Sequence, residues 1–157
     1  MGSLFLSREW WSTRPGSEEE FGSGGLVIAN FDNEPNGSLK IATGSFDGVL
    51  RVYAPSGKDY KLEDLMLESA LDAPILQLAA GHFLAEFDRV ALAVLHPRKI
   101  TVFTVVASGG KEASFFSLNK SFEHALEHPA CNMVQGAFGG IFKGENLCVQ
   151  SMDGCDA

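Results

Sequence analysis

The chain has 157 residues, of which 45% are hydrophobic and 20% are charged, a composition typical of one globular domain. Twelve basic residues stand against twenty acidic ones, and the net charge of −8 argues against a general nucleic-acid or anionic-membrane surface. The three cysteines form no CxxC and no apolar run approaches the ~20 residues of a membrane helix, so we expect a cytosolic chain without a disulfide framework.

The first predicted element is a short strand within residues 3–13, with Leu4 and Leu6 on one face. It contains the largest aromatic pair of the chain, Trp10 and Trp11. The favoured interpretation of this pair is a hydrophobic plug. The alternative is a partner-binding anchor, because tryptophan is enriched in interface hot spots.

Residues 39–55 predict a β-hairpin. Apolar residues alternate on both sides of Asp47-Gly48, a dipeptide that favours a tight turn because glycine adopts positive φ without a Cβ clash. Pro55 cannot donate a hydrogen bond to a β-ladder, so it ends the second strand.

Two further rounds of similar strands follow this hairpin. Phenylalanines recur at comparable places, at Phe31, Phe83 and Phe138, which are 52 and 55 residues apart. A unit of about four strands that repeats roughly every 50 residues is typical of a β-propeller blade. The other strand candidates are residues 25–31, 64–71, 75–83, 89–95, 100–106, 114–122, 131–138 and 146–152.

The predicted fold class is therefore all-β, with propeller-type repeats. We expect residues 1–157 to be one region with blades near 25–71 and 75–122 and an incomplete third at 131–157. This gives about two and a half four-stranded blades, whereas closed propellers typically have four to eight. The chain is thus expected to be a truncated part of a larger ring, by fragmentation or an early stop. One turn of helix is possible within residues 121–128.

Two loops carry potential metal ligands. Asp32–Gly37 places oxygen-bearing residues at alternate positions before a glycine, as calcium loops do, but Thr43 stands where an EF-hand has its twelfth-position glutamate. His124, His128 and Cys131 offer three zinc ligands without a second cluster nearby. An ordinary turn is favoured in both cases, so no metal site is assigned, and calcium binding at Asp32–Gly37 stays open.

The most basic short stretch is residues 96–99, which we interpret as an exposed hairpin tip; a phosphoinositide or acidic-partner contact is the minor alternative. Arg98 and Lys99, together with Trp10 and Trp11, are the candidate interface residues. The sequence has no nucleophile elbow, P-loop, HExxH or dinucleotide fingerprint. No catalytic residue and no cofactor are therefore assigned, and we expect a non-enzymatic protein.

Short matches in one collinear order cover essentially the whole chain and resemble the start of the parathyroid hormone-responsive B1 family. This family supplies the ninth subunit of the BBSome, a Bardet–Biedl syndrome protein. The matching stretches include Ser3–Phe5, Trp10–Thr13, Glu19–Phe21, Lys40–Ile41, Gly44–Phe46, Leu92–His96, Ala130–Met133 and Gln150–Gly154.

The resemblance implies the N-terminal part of a seven-bladed propeller within a longer scaffold, with Ser3–Leu6 as the outer strand that closes the ring in a full-length relative. It also implies a core subunit of a coat-like complex that moves membrane proteins into and out of cilia. Expected partners are the other BBSome subunits and, indirectly, an ARF-like small GTPase and ciliary membrane cargo, without nucleic acid. Expected locations are the cytoplasm, cilium, basal body and ciliary membrane. The alternative function is a calcium-binding or hydrolytic propeller.

Overall fold

The computed structural model describes residues 4–84, 88–109 and 115–153. Within them lie ten β-strands and one short 3₁₀ turn at Leu62–Asp64. No helix in these ranges is long and apolar enough to cross a membrane. The strands are β1 (Leu26–Ala29), β2 (Lys40–Gly44), β3 (Val49–Tyr53), β4 (Leu65–Ala70), β5 (Gln77–Gly81), β6 (Ala91–Leu95), β7 (Lys99–Ser108), β8 (Phe115–Ala125), β9 (Ala130–Gly136) and β10 (Asn146–Ser151).

The strands form successive antiparallel sheets. Strands β1 to β4 pair in chain order as a first sheet, β5 to β8 form a second in the same way, and β9 pairs with β10 in a third. Each strand therefore lies beside its neighbour in sequence, as in the blades of a propeller. The predicted fold class is confirmed: the described residues are all-β, with two blade-like antiparallel four-stranded sheets and a third sheet of two strands.

The second sheet is packed between the other two, and its strand β6 is buried on both faces. Leu92 and Val94 belong to a core shared with the first sheet, which includes Phe31 and Leu50. The alternate residues Ala91, Ala93 and Leu95 belong to a core shared with β9 and β10. The near-continuous apolar run of β6 thus contributes to two sheet-to-sheet interfaces, because its side chains alternate between the two faces of the sheet.

The hairpin between β2 and β3 closes through a three-residue loop. The Ser45 amide donates to the Val49 carbonyl (3.1 Å), and the Gly48 amide donates to the Ser45 carbonyl (3.0 Å). Gly48 has φ of 83°, so the loop is a turn followed by a left-handed glycine. A Cβ on Gly48 would also lie 2.8 Å from the Ala73 carbonyl oxygen, so the position requires glycine for two reasons.

Two side-chain amides connect neighbouring sheets. The Asn33 amide accepts from the Val90 backbone N–H (2.8 Å) and donates to the Val90 carbonyl (3.1 Å), just before β6. In β5, the Gln77 amide accepts from the Met133 N–H (2.8 Å) and donates to the Met133 carbonyl (2.5 Å). Each amide thereby satisfies both polar groups of one residue on the next sheet, much as a strand neighbour would.

Two predictions about local structure are wrong. Residues 4–13 form no strand, and Leu4 and Leu6 are almost fully exposed, because no strand of the described residues pairs with them. Ser3 and Gly154, which belong to the matching stretches, lie outside the described residues. Residues 121–125 continue strand β8 instead of forming a helical turn, because they pair with β7 as far as Lys99 opposite Ala125.

Candidate interaction surface

The N-terminal segment, residues 4–24, begins with the exposed Leu4–Leu6 and is anchored on the first sheet by Trp11. The indole N–H of Trp11 donates to Asp64 Oδ2 (3.0 Å). Its ring makes edge-on contacts with Tyr53 and Tyr60, at centroid distances of 5.6 and 5.9 Å. Trp11 is half-buried as a result, so this half of the tryptophan pair packs within the chain.

The carboxylate of Asp64 accepts the hydrogen bonds that form this anchor. It accepts hydrogen bonds from the Ser56 hydroxyl (2.7 Å), the Ser56 amide (3.1 Å) and the Lys61 amide (3.0 Å), in addition to the Trp11 indole. These donors, the Ser56 hydroxyl first and the Trp11 indole second, hold the pKa of Asp64 well below its ordinary value. The ionised carboxylate therefore fixes the connection between β3 and β4 to the N-terminal segment.

A second anchor is formed by Arg51 in β3. Its guanidinium donates two hydrogen bonds of 2.7 Å to the two carboxylate oxygens of Glu19, and its Nε donates to Glu68 Oε2 (2.6 Å). Glu68 stands opposite Arg51 in the β3–β4 register. The hydrogen bonds from Arg51 lower the pKa of Glu19, while Glu19 raises the pKa of Arg51. This bidentate pair holds the N-terminal segment on the face of the first sheet.

Trp10 is more exposed to solvent than its neighbour Trp11. Its side chain is 58% exposed at the rim of a pocket between the N-terminal segment and residues 58–60. Of the two tryptophans proposed from sequence as interface residues, Trp10 is thus the one that presents its ring to solvent.

The two basic residues of the β6–β7 hairpin also differ in exposure, because Arg98 is free to contact solvent whereas Lys99 is ion-paired within the chain. Arg98 is exposed at the tip of the hairpin. The ammonium of Lys99 lies 2.8 Å from Asp72 and 3.2 Å from Glu123, and hydrogen bonding to Asp72 is the main reason why the pKa of Lys99 is raised. The tryptophan pair lies beside the first sheet, whereas the basic pair lies at the β6–β7 hairpin of the second sheet. Whether the four residues contact a partner stays a prediction.

The loop Asp32–Gly37 already surrounds a cation, the ammonium of Lys40. Lys40 is only 2% exposed. Its Nζ lies 2.6 Å from Asp32 Oδ1 and 3.1 Å from Glu34 Oε2. It also donates to the Ser38 hydroxyl (2.7 Å), the Ser38 carbonyl (2.9 Å) and Asn30 Oδ1 (3.2 Å). Five oxygens therefore point at a positive charge that belongs to the chain itself, which weakens the calcium alternative.

The histidine and cysteine set is dispersed. His128 Nδ1 lies 2.5 Å from Asp153 Oδ2, whereas the Cys131 thiol lies 3.8 Å from the Ser151 carbonyl. His124 is exposed on β8. Among the residues that the structure describes, no three His, Cys, Asp or Glu side chains come together in a way that could hold a metal ion.

Sequence reasoning missed the three charged residues that organise these contacts: Lys40, Arg51 and Asp64. The only signal in the sequence was that Lys40 and Arg51 are basic residues inside the two predicted strands of the hairpin Leu39–Pro55, which is flanked by acidic loops. A charge between buried strand neighbours needs a partner. Asp64 carried no such signal, because its Trp11 donor lies 53 residues away in the sequence.

Comparison with known proteins gives consistent matches along this chain. The family model described as PTHB1 N-terminal matches residues 2–155. Protein PTHB1 of Homo sapiens is 43% identical over 158 residues, which cover 97% of this chain and 18% of the human protein. Protein PTHB1 of Mus musculus is 42% identical over 97% of the chain and 18% of its own length. Protein PTHB1 of Xenopus laevis is 40% identical over 97% of the chain and 19% of its own length. The chain thus spans about a fifth of the relatives that it matches.

Proposed function

Because the chain belongs to the PTHB1 N-terminal family, we propose that it works as a non-enzymatic scaffold for protein–protein interaction. In this proposal it is the N-terminal propeller region of a BBSome subunit, in a membrane coat that carries proteins to and from the cilium. The observation that carries the proposal is collinear similarity over 97% of the chain, at 43% identity to the human relative.

The arrangement of the sheets supports a propeller role. We propose that residues 25–71 and 75–122 are two blades and that residues 131–157 belong to a third, in a ring of seven blades. The second sheet buries one face against the first sheet and the other face against β9 and β10, as an inner member of such a ring would.

The proposed partners are the other BBSome subunits, with an ARF-like small GTPase and ciliary membrane cargo reached only through the complex. The proposed locations are the cytoplasm, the cilium, the basal body and, peripherally, the ciliary membrane. This would place the chain in protein transport and cilium biogenesis. Trp10 and Arg98 are the exposed members of the proposed contact set, which also contains Trp11 and Lys99.

The proposal is tested by affinity purification from a ciliated cell. The tagged 157-residue chain and a tagged full-length relative are expressed in parallel, and the recovered BBSome subunits are quantified by mass spectrometry. We expect the full-length relative to recover all subunits. Recovery with the short chain as well would support a subunit contact within its 157 residues.

Interface variants make the test specific. In the full-length relative, the residues matching Trp10 and Arg98 are changed to Ala, and the residue matching the exposed Glu127 is changed to Gln as a control. A loss of subunits with the first two variants but not with the control supports the proposed surface. If neither the chain nor the full-length relative recovers BBSome subunits, the proposed function is wrong.

A further inference from the structure

A pocket of about 380 Å³ opens between the N-terminal segment and the connection from β3 to β4. Residues 9–12 line one side of it and residues 58–60 line the other. Three aromatic rings, Trp10, Trp11 and Tyr60, belong to this lining. The proposed scaffold role assigns no ligand to this pocket.

One aromatic wall of the pocket is held rigidly. The indole N–H of Trp11 is bonded to Asp64, and the Trp11 ring contacts Tyr60 edge-on at 5.9 Å. Trp10 keeps more than half of its surface in solvent. The ring faces of electron-rich aromatics attract cations through the ring quadrupole, and tryptophan does so most strongly.

The charges of the lining favour the same class of ligand. Glu9 and Asp59 contribute two carboxylates against one ammonium, that of Lys58, which leaves a net negative charge. The Ser12 hydroxyl donates to Glu9 Oε1 (2.8 Å) and so restrains the carboxylate of Glu9, the residue that precedes Trp10 in the sequence. Neither carboxylate is ion-paired with another described residue. The whole chain, with a charge of −8, also attracts cations.

The combination of aromatic rings and carboxylates discriminates between cations. A quaternary ammonium can lie on a ring face but has no N–H to donate to a carboxylate. A guanidinium is planar, so it stacks on an aromatic ring and still directs its five N–H donors, which lie in its own plane, to carboxylate oxygens beside it. We propose that this pocket binds an arginine side chain of a partner protein.

Tryptophan fluorescence reports on this pocket without labelling, because Trp10 and Trp11 are the only two tryptophans of the 157 residues. The chain is titrated with N-acetyl-arginine methylamide, with the neutral isostere N-acetyl-citrulline methylamide, and with phosphocholine. We expect a saturable change of emission with the arginine compound, with a Kd in the millimolar range, and none with the citrulline compound. Phosphocholine should bind more weakly than the arginine compound.

Variants with opposite expected effects test the charges. Glu9→Gln combined with Asp59→Asn should weaken binding about fivefold, and Lys58→Gln should strengthen it about twofold, because exposed charge pairs contribute modestly. Trp10→Ala keeps Trp11 as the reporter and should weaken binding about two- to fivefold. Glu127→Gln, an exposed carboxylate on another sheet connection, should change nothing.

Far-UV circular dichroism identifies any variant that has lost its fold, and the Lys58→Gln gain cannot come from unfolding. No response to the arginine compound, or an equal response to the citrulline compound, would overturn the proposal. Equal or tighter binding of phosphocholine would also overturn it, because the ligand would then be a choline headgroup rather than a protein side chain. The titration does not depend on BBSome membership, so its failure is distinguishable from failure of the proposed function.

Discussion

Lys40 illustrates how a single buried charge can organise a loop. The Nζ atom of Lys40 lies 2.6 to 3.2 Å from five oxygen atoms of Asn30, Asp32, Glu34 and Ser38. The pKa of Glu34 is lowered, mainly by its hydrogen bond with Lys40. The same loop contains Asn33, whose amide reaches the second sheet. The contacts of Lys40 therefore hold the loop that carries Asn33, and Asn33 connects the first sheet to the second.

Lys40→Met should destabilise the fold by about 3 kcal/mol, because it leaves the carboxylate of Asp32 largely buried without its cation. Chemical denaturation measures the change. The matched control is Lys58→Met, an exposed lysine that should cost less than about 0.5 kcal/mol. A cost for Lys40→Met as small as for the control would show that the ammonium is not essential to the loop.

Calcium should not stabilise the chain, because the position of a bound ion is taken by the Lys40 ammonium. A ligand that binds only the folded state raises the melting temperature. We expect the same melting temperature with millimolar calcium as with a chelator, and the same result in Asp32→Ala. A calcium-dependent rise that disappears in Asp32→Ala would contradict this interpretation of the loop.

The lowered pKa of Asp64 predicts that the free energy of unfolding depends on pH in the acid range. The pKa of Asp64 is lowered from the ordinary value of 3.8, so its contribution to stability is complete above about pH 5 and is lost as the pH falls through 3.8 toward the lowered pKa. Asp64→Asn should therefore be less stable than the parent at pH 7, and the difference should shrink between pH 5 and pH 2. Urea unfolding over this pH range measures it, with Glu127→Gln as a control. A constant difference across the range would contradict the assignment.

At the scale of residues, the sequence alone did not predict which of the candidate side chains are exposed and which are paired within the chain. Trp10 and Trp11 are adjacent and were indistinguishable by composition. The structure separates them because only Trp11 reaches Asp64, 53 residues away. Arg98 and Lys99 are separated for the same reason, since the partners of Lys99 lie 27 and 24 residues away. Such long-range partners have no local signature.

At the scale of elements, the hairpin between β2 and β3 depends on Gly48. Gly48→Ala should destabilise the chain by about 2 kcal/mol, because alanine disfavours φ of 83° and its Cβ would lie 2.8 Å from the Ala73 carbonyl oxygen. Gly57→Ala is the control, since nothing lies within 4 Å of a Cβ at that position. Thermal unfolding of both variants gives the comparison; equal stability of the two would be inconsistent with the strained turn.

Local patterning predicted the strands well because it requires only alternation and turn residues. The hairpin expected within residues 39–55 is present as β2 and β3. The predicted strand near the N-terminus is wrong because Leu4 and Leu6 alternate correctly but lack a pairing strand among the described residues. The helical turn expected near residue 121 is wrong because β7 continues far enough to keep β8 extended. Pairing partners, rather than propensity, decided both cases.

At the scale of the whole molecule, contact between sheets depends on a few polar connections beside the apolar cores. Gln77→Ala should cost about 1 kcal/mol, because the Met133 carbonyl loses its side-chain donor and the Met133 N–H keeps only the Asn132 Oδ1 acceptor at 2.9 Å. Gln135→Ala removes a longer, exposed hydrogen bond of 3.4 Å to Ala80 and is the control. Hydrogen exchange at Met133 should accelerate only in the first variant. Unchanged exchange there would show that the Gln77 amide does not help to hold the third sheet.

The central claim, that this chain is a scaffold region of a BBSome subunit, is tested most directly by a chimera. The part of the human relative that aligns with this chain is replaced by the 157 residues, and the chimera is expressed in ciliated cells that lack the human protein. Co-sedimentation with the remaining BBSome subunits is then measured. We predict that the chimera enters the complex and restores the passage of membrane cargo through cilia. A chimera that is folded and abundant but stays outside the complex would contradict the claim.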